Sequence, residues 1–77
     1  MLRQMLRDLR LAAGLSVCEA ARRIGVKRNA IHCWETEGQW RKRPSPASLG
    51  KALNVYGATL DARARVWEAL SLEEAAA

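Results

Sequence analysis

Apolar residues recur along this chain at intervals of three and four, and glycines interrupt the intervals. Leu2, Leu6, Leu9 and Ala13 share one stripe of a helix expected over about residues 2–13, with Met5 beside it and Gly14 at its end. Ala20, Ala21 and Ile24 fall at i, i+1 and i+4, one face of a second helix. The methyl group of Ala21 lets another helix cross close by, where a longer side chain would hold it off. Ser16 can cap this helix by accepting from an amide near Glu19, in the spacing of a capping box. Gly25 can take the positive φ that ends the helix and turns the chain within about three residues. Val26, Ile31 and Trp34 return an apolar stripe to the same core on a third helix, over about 28–36. After a basic loop from Glu37 to Ser45, Ser45-Pro46 reads as N-cap and first helical residue of a fourth helix ending near Asn54. Gly57 breaks the chain and Thr59 can cap a fifth helix over about 60–70, which Ser71-Leu72-Glu73-Glu74 could extend or follow with a new helix. Its register sets Leu60, Ala64 and Trp67 on one side, with Leu70 close by.

The outward face of the third helix reads Lys27, Arg28, Asn29, His32 and Cys33, which is polar, basic and rich in donors. A helix that buries one side and offers such a face has the layout of a DNA-reading helix-turn-helix. The ordered spacing of LRDLRLAAGLS (6–16), EAARRIGVKRNAIHCWE (19–35) and RPSPASLGKALNVYG (43–57) resembles the Cro/repressor-type, or Xre, family of helix-turn-helix transcription regulators. That resemblance implies an all-α, compact five-helix, lambda-repressor-like domain over about 1–72. Residues 73–77 would form a short frayed tail. Helices 2 and 3 would form the DNA-reading unit.

Composition agrees with this reading. The 77 residues allow one domain with one small core. The hydrophobic fraction of 49% is dominated by Ala and Leu and contains no Phe, which suits tightly packed short helices better than a sandwich of strands. A net charge of +5 favours a polyanionic partner, double-stranded DNA, over a merely solvated basic surface only in combination with the motif. Two cysteines, Cys18 and Cys33, form neither a disulfide framework nor a zinc ligand set, so no metal is expected. The N-terminal run is broken by Arg3, Arg7, Asp8 and Arg10, and no membrane segment or signal peptide is expected, which makes the cytoplasm the default compartment. With a single histidine, no paired carboxylates around it and no phosphate-binding loop, neither catalysis nor a cofactor is expected.

Arg28, Asn29, His32 and Cys33 lie at i, i+1, i+4 and i+5 and line one strip. Arg28 can offer a fork to guanine O6 and N7, and Asn29 can pair with adenine N6 and N7. The resemblance places base contacts at Arg28, Asn29 and Cys33. Arg28 could instead meet a phosphate, Asn29 could serve the first amides of its helix, and the His32 ring could pack against a neighbouring helix. Phosphate contacts are expected from Lys27, from Arg41, Lys42 and Arg43, and from the start of the fourth helix at Ser45. Two positions depart from the family pattern. Val17 stands where a phosphate-binding glutamine is common, and Lys27 stands where a Ser or Thr cap is common. The resemblance also pairs Arg10 with Glu35 in a structural ion pair at the core's edge. Leu60, Ala64, Trp67 and Leu70 are the expected dimer surface, the competing reading being that they complete the monomer core. The leading function is therefore a homodimeric repressor reading a pseudo-palindromic operator. The alternative is a protein-binding module that engages a polymerase subunit, toxin or larger regulator, favoured by Val17, Lys27 and the exposed-or-tucked Trp40.

Overall fold

A computed structural model of the chain describes residues 2–36 and 44–76, with side chains as far as Glu73. Five helices account for these residues: α1 (Leu2–Ala12), α2 (Val17–Ile24), α3 (Arg28–Glu35), α4 (Pro46–Val55) and α5 (Leu60–Ala76). The fold is all-α, and none of these helices is long and apolar enough to cross a membrane.

Local chemistry sets most of the boundaries. The Ser16 hydroxyl accepts from the Glu19 amide at 3.1 Å and starts α2. Ser45 accepts from the Ser48 amide at 3.2 Å with Pro46 in the first turn, and Thr59 accepts from the Ala62 amide at 3.1 Å. Each cap satisfies one of the amides that a helix start leaves without a partner. Gly25 closes α2 at φ 87°, and the amides of Gly25 and Val26 both donate to the Ala21 carbonyl, at 2.9 and 3.0 Å. A Cβ built on Gly25 would meet nothing within 4 Å, so the left-handed backbone, not crowding, is the reason for glycine here.

The core is a single cluster. Leu2 and Leu6 enter it from α1, and Leu15 from the turn after α1. Ala20, Ala21 and Ile24 enter from α2, and Ile31 and Trp34 from α3. Leu49, Ala52 and Leu53 enter from α4 and Val66, Ala69 and Leu70 from α5. Ala20 and Ala21 are buried on α2, the helix on which both α3 and α4 pack. Their small side chains permit that three-helix approach. α1 bridges the assembly, packing on α3 with one part of its surface and on α5 with another.

Two expectations, for Ala13 and Leu70, need correction, and one open alternative, at the end of α5, is decided. Ala13 is exposed and lies past the end of α1, because the chain has already begun its turn through Gly14. Of the two readings of residues 71–74, extension is the one observed, and α5 continues to Ala76. Leu72, Glu73 and the following Glu and Ala residues are good helix formers with no breaker among them. Leu70, expected on the outer dimer surface, is 4% exposed and packs in the core with Val66 and Ala69. At roughly 100° per residue, Leu70 lies about 80° around the helix from Leu60, far enough to cross onto the α1 side. Leu60, Ala64 and Trp67 stay on the outer face, Leu60 being 85% and Trp67 37% exposed.

Candidate nucleic-acid interface

α3 buries Ile31 and Trp34 and turns Lys27, Arg28, Asn29 and His32 to solvent. These four, with Val17 of α2, line an open cleft of about 540 Å3 at the mouth of the α2–α3 turn. The strip expected for base reading is thus assembled at Arg28, Asn29 and His32. His32 is exposed, so its ring is not packed between helices. Cys33 stands apart from the cleft and is half-buried. Arg28 leans across the turn, its Nη1 3.8 Å from the Cys18 sulfur. Sulfur is a weak acceptor, so this contact holds the guanidinium lightly and leaves it able to swing toward a ligand.

Lys27 is the N-cap of α3 and makes no side-chain capping bond. Lys27 lines the cleft at the N-terminal end of α3, so its charge adds to the positive end of the helix there. Ser45 caps its own helix, and its hydroxyl also donates to the Ser48 hydroxyl at 3.1 Å. Arg41, Lys42 and Arg43, with Trp40, lie outside the described residues. In sequence, residues 17–51 hold eight basic and three acidic side chains, whereas residues 52–77 hold two basic and four acidic ones. Residues 1–16 add three basic and one acidic side chain, so the excess of positive charge is largest in the α2–α4 segment, where it concentrates attraction for a polyanion.

Two arginines of α1, Arg10 buried and Arg3 half-buried, hold α3 in place. Arg10 reaches Glu35 at the end of α3 through two parallel bonds, Nε to Oε2 at 2.8 Å and Nη2 to Oε1 at 2.9 Å, and its Nη1 donates to the Leu15 carbonyl at 2.9 Å. Both side chains of the pair are 9% exposed. The hydrogen bond to Glu35 raises the Arg10 pKa further above its already high value, against the opposing effect of burial, so the guanidinium is charged at every working pH. Arg3 donates to the Cys33 carbonyl at 2.6 Å and to the Trp34 carbonyl at 3.4 Å. α3 ends on Thr36 in extended backbone, without a left-handed glycine to fold its last carbonyls back, and Arg3 supplies the donor those carbonyls lack. In the sequence Arg3 figures only as a charge that interrupts the N-terminal apolar run. No spacing in the sequence joins Arg3 to the end of α3, because the contact depends on how α1 crosses α3.

A family model described as a helix-turn-helix domain matches residues 2–66 of the chain. The chain belongs to this helix-turn-helix family. The match takes in α1 to α4 and the first part of α5, so the capped turn at Gly25 and the outward strip of α3 both fall inside it. A helix-turn-helix domain is a DNA-binding regulatory unit, and that is the coarse function of this member. No curated protein and no solved structure matches the chain significantly.

Proposed function

We propose that the protein is a sequence-specific transcription regulator of the Cro/repressor type, a homodimeric repressor that lays α3 in the major groove of a pseudo-palindromic operator. The observation that carries this reading is the two-sided character of α3. Ile31 and Trp34 lock one side into the core, while Arg28, Asn29 and His32 project together from the other. Arg28 and Asn29 are the base readers, through the forked guanine contact and the paired adenine contact their side chains can make. Lys27 neutralises a phosphate at the groove edge, joined by the basic run Arg41–Arg43. The dimer brings a second α3 to the next face of the duplex, since one reading helix spans only a few base pairs.

Competition binding across a randomised operator library at two salt concentrations tests this assignment. Arg28→Ala is expected to relax preference at one operator position, at a cost of about 1–3 kcal/mol for the preferred base. Lys27→Ala should weaken all sequences alike and lower the salt slope by roughly one. An Arg28 variant with the parental sequence preference would remove α3 from base reading. A parent chain with no salt-dependent DNA binding would transfer the domain to protein recognition, the reading that Val17, lining the cleft with a side chain that can neither donate nor accept, favours.

A further inference from the structure

We propose that the seam between α1 and α5 is a docking groove for a basic amphipathic helix of another protein. This goes beyond the DNA reading and does not rest on it, because α3 contributes nothing to the seam.

Two adjoining depressions make up the groove. One, of about 300 Å3, lies over Met5, Leu9 and Val66 near the start of α5. The other, of about 120 Å3, lies over Met5, Ala69 and Leu72 further along. Met5 and Arg65 line both, so the two are continuous. From Asp61 to Leu72 the helix advances roughly 16 Å, the length of three turns of a bound helix. The floor is apolar, and Leu72 at its far end is 56% exposed, a large apolar side chain left to water. Such a trough accepts anchors spaced at i, i+4 and i+7 from an amphipathic helix.

The rim decides what kind of helix. Asp8 borders the first depression from α1 and Glu68 the second from α5. Among the described residues neither is in an ion pair. Asp61 also borders the groove and is paired with Arg65 at 2.9 Å, with both side chains about two-thirds or more exposed. That pair is weak and can open when a stronger partner arrives. A rim carrying three carboxylates and one guanidinium is negative on a chain whose net charge is +5. It repels DNA and attracts lysine or arginine on the flanks of an incoming helix. The outer strip of Leu60, Ala64 and Trp67 is a different face of α5, turned away from this seam, so dimerisation through that strip leaves the groove open.

Display selection with a library of helical amphipathic peptides of randomised flank charge, panned on the intact chain, tests the proposal. A protein of net charge +5 without such a groove would enrich acidic peptides, so the two outcomes have opposite sign. Basic helices with leucine-type anchors are expected, and a synthetic copy of the most enriched peptide should bind saturably by fluorescence anisotropy. Asp8→Lys combined with Glu68→Lys should weaken that peptide at least tenfold, and Leu72→Asp should do the same, with the thermal midpoint and operator binding retained. All three sites are exposed, so these variants fold. Enrichment of acidic peptides, of none, or of peptides indifferent to the three substitutions would overturn the proposal. A fall in the sedimenting mass of the free chain on Leu72→Asp would also overturn it, by making the seam a contact between copies.

Discussion

Tyr56 is the residue where local satisfaction fails. It follows α4, is 6% exposed, and its hydroxyl is the buried side-chain polar atom that finds no partner among the described residues. It lies close enough to the Arg10–Glu35 pair to feel both charges. Burial chiefly, with Glu35 adding to it, raises its pKa to about 12 from an ordinary 10, and Arg10 opposes the shift. An acid whose folded pKa is raised favours the folded state fully below pH 10, and that contribution is lost as the pH rises toward 12. A two-unit shift corresponds to about 3 kcal/mol across this window. Tyr56→Phe should therefore leave stability unchanged or slightly improved at neutral pH, because it removes an unsatisfied hydroxyl without changing shape. In strong alkali the variant should outlast the parent. Urea midpoints of the two proteins, taken from neutrality to pH 12, check both halves. Parallel decline of the two curves would exclude Tyr56 as the titrating group.

At the scale of elements, what matters for DNA reading is how rigidly α3 is presented. Four devices fix it: the burial of Ile31 and Trp34, the left-handed turn at Gly25, the Arg10–Glu35 fork, and Arg3 on the terminal carbonyls. Only the turn is set by backbone geometry alone. Replacing Gly25 by Ala adds a methyl that meets nothing within 4 Å, so the full loss should come from holding φ 87° with an L side chain, about 1–2 kcal/mol. Gly25→Asn should lose less, since Asn tolerates that region better than Ala. Chemical denaturation of the three proteins measures the order. An alanine variant as stable as the parent would mean that the turn relaxes to another conformation. In that event α3 should shift as well, which an altered operator preference would report.

At the scale of the molecule, α5 has more apolar surface than one monomer uses. Val66, Ala69 and Leu70 complete the core, while Leu60 and Trp67 remain on the outer face with Ala64 between them. The homodimer proposed above would bury that outer strip. Trp67→Ala should convert a dimer into a monomer that keeps its helical circular dichroism, as read by sedimentation equilibrium. Complete unfolding would show that Trp67 supports the monomer core instead. An unchanged dimer mass would leave the strip out of the interface.

The sequence alone carried the helix count, the caps at Ser16, Ser45 and Thr59, and the inward faces of α2 and α3. These depend on interactions within a few residues, so spacing and side-chain type suffice to read them. The outward grouping of Arg28, Asn29 and His32 was legible for the same reason: burying one side of a short helix dictates its other side. The pairing of Arg10 with Glu35 came from family resemblance, since nothing in their spacing joins two residues on different helices. Arg3 on the end of α3, Leu15 as a second acceptor for Arg10, and Tyr56 beside the pair came only with the tertiary structure. Each is a contact between distant segments, chosen by how the helices cross. The same limit explains α5. Its alanines and leucines lie all around the helix, so the register that joined Leu60, Ala64, Trp67 and Leu70 was one of several apolar faces. Packing against α1 selected Val66, Ala69 and Leu70 for the core, because only contact with a second helix can decide which of several apolar faces is removed from water.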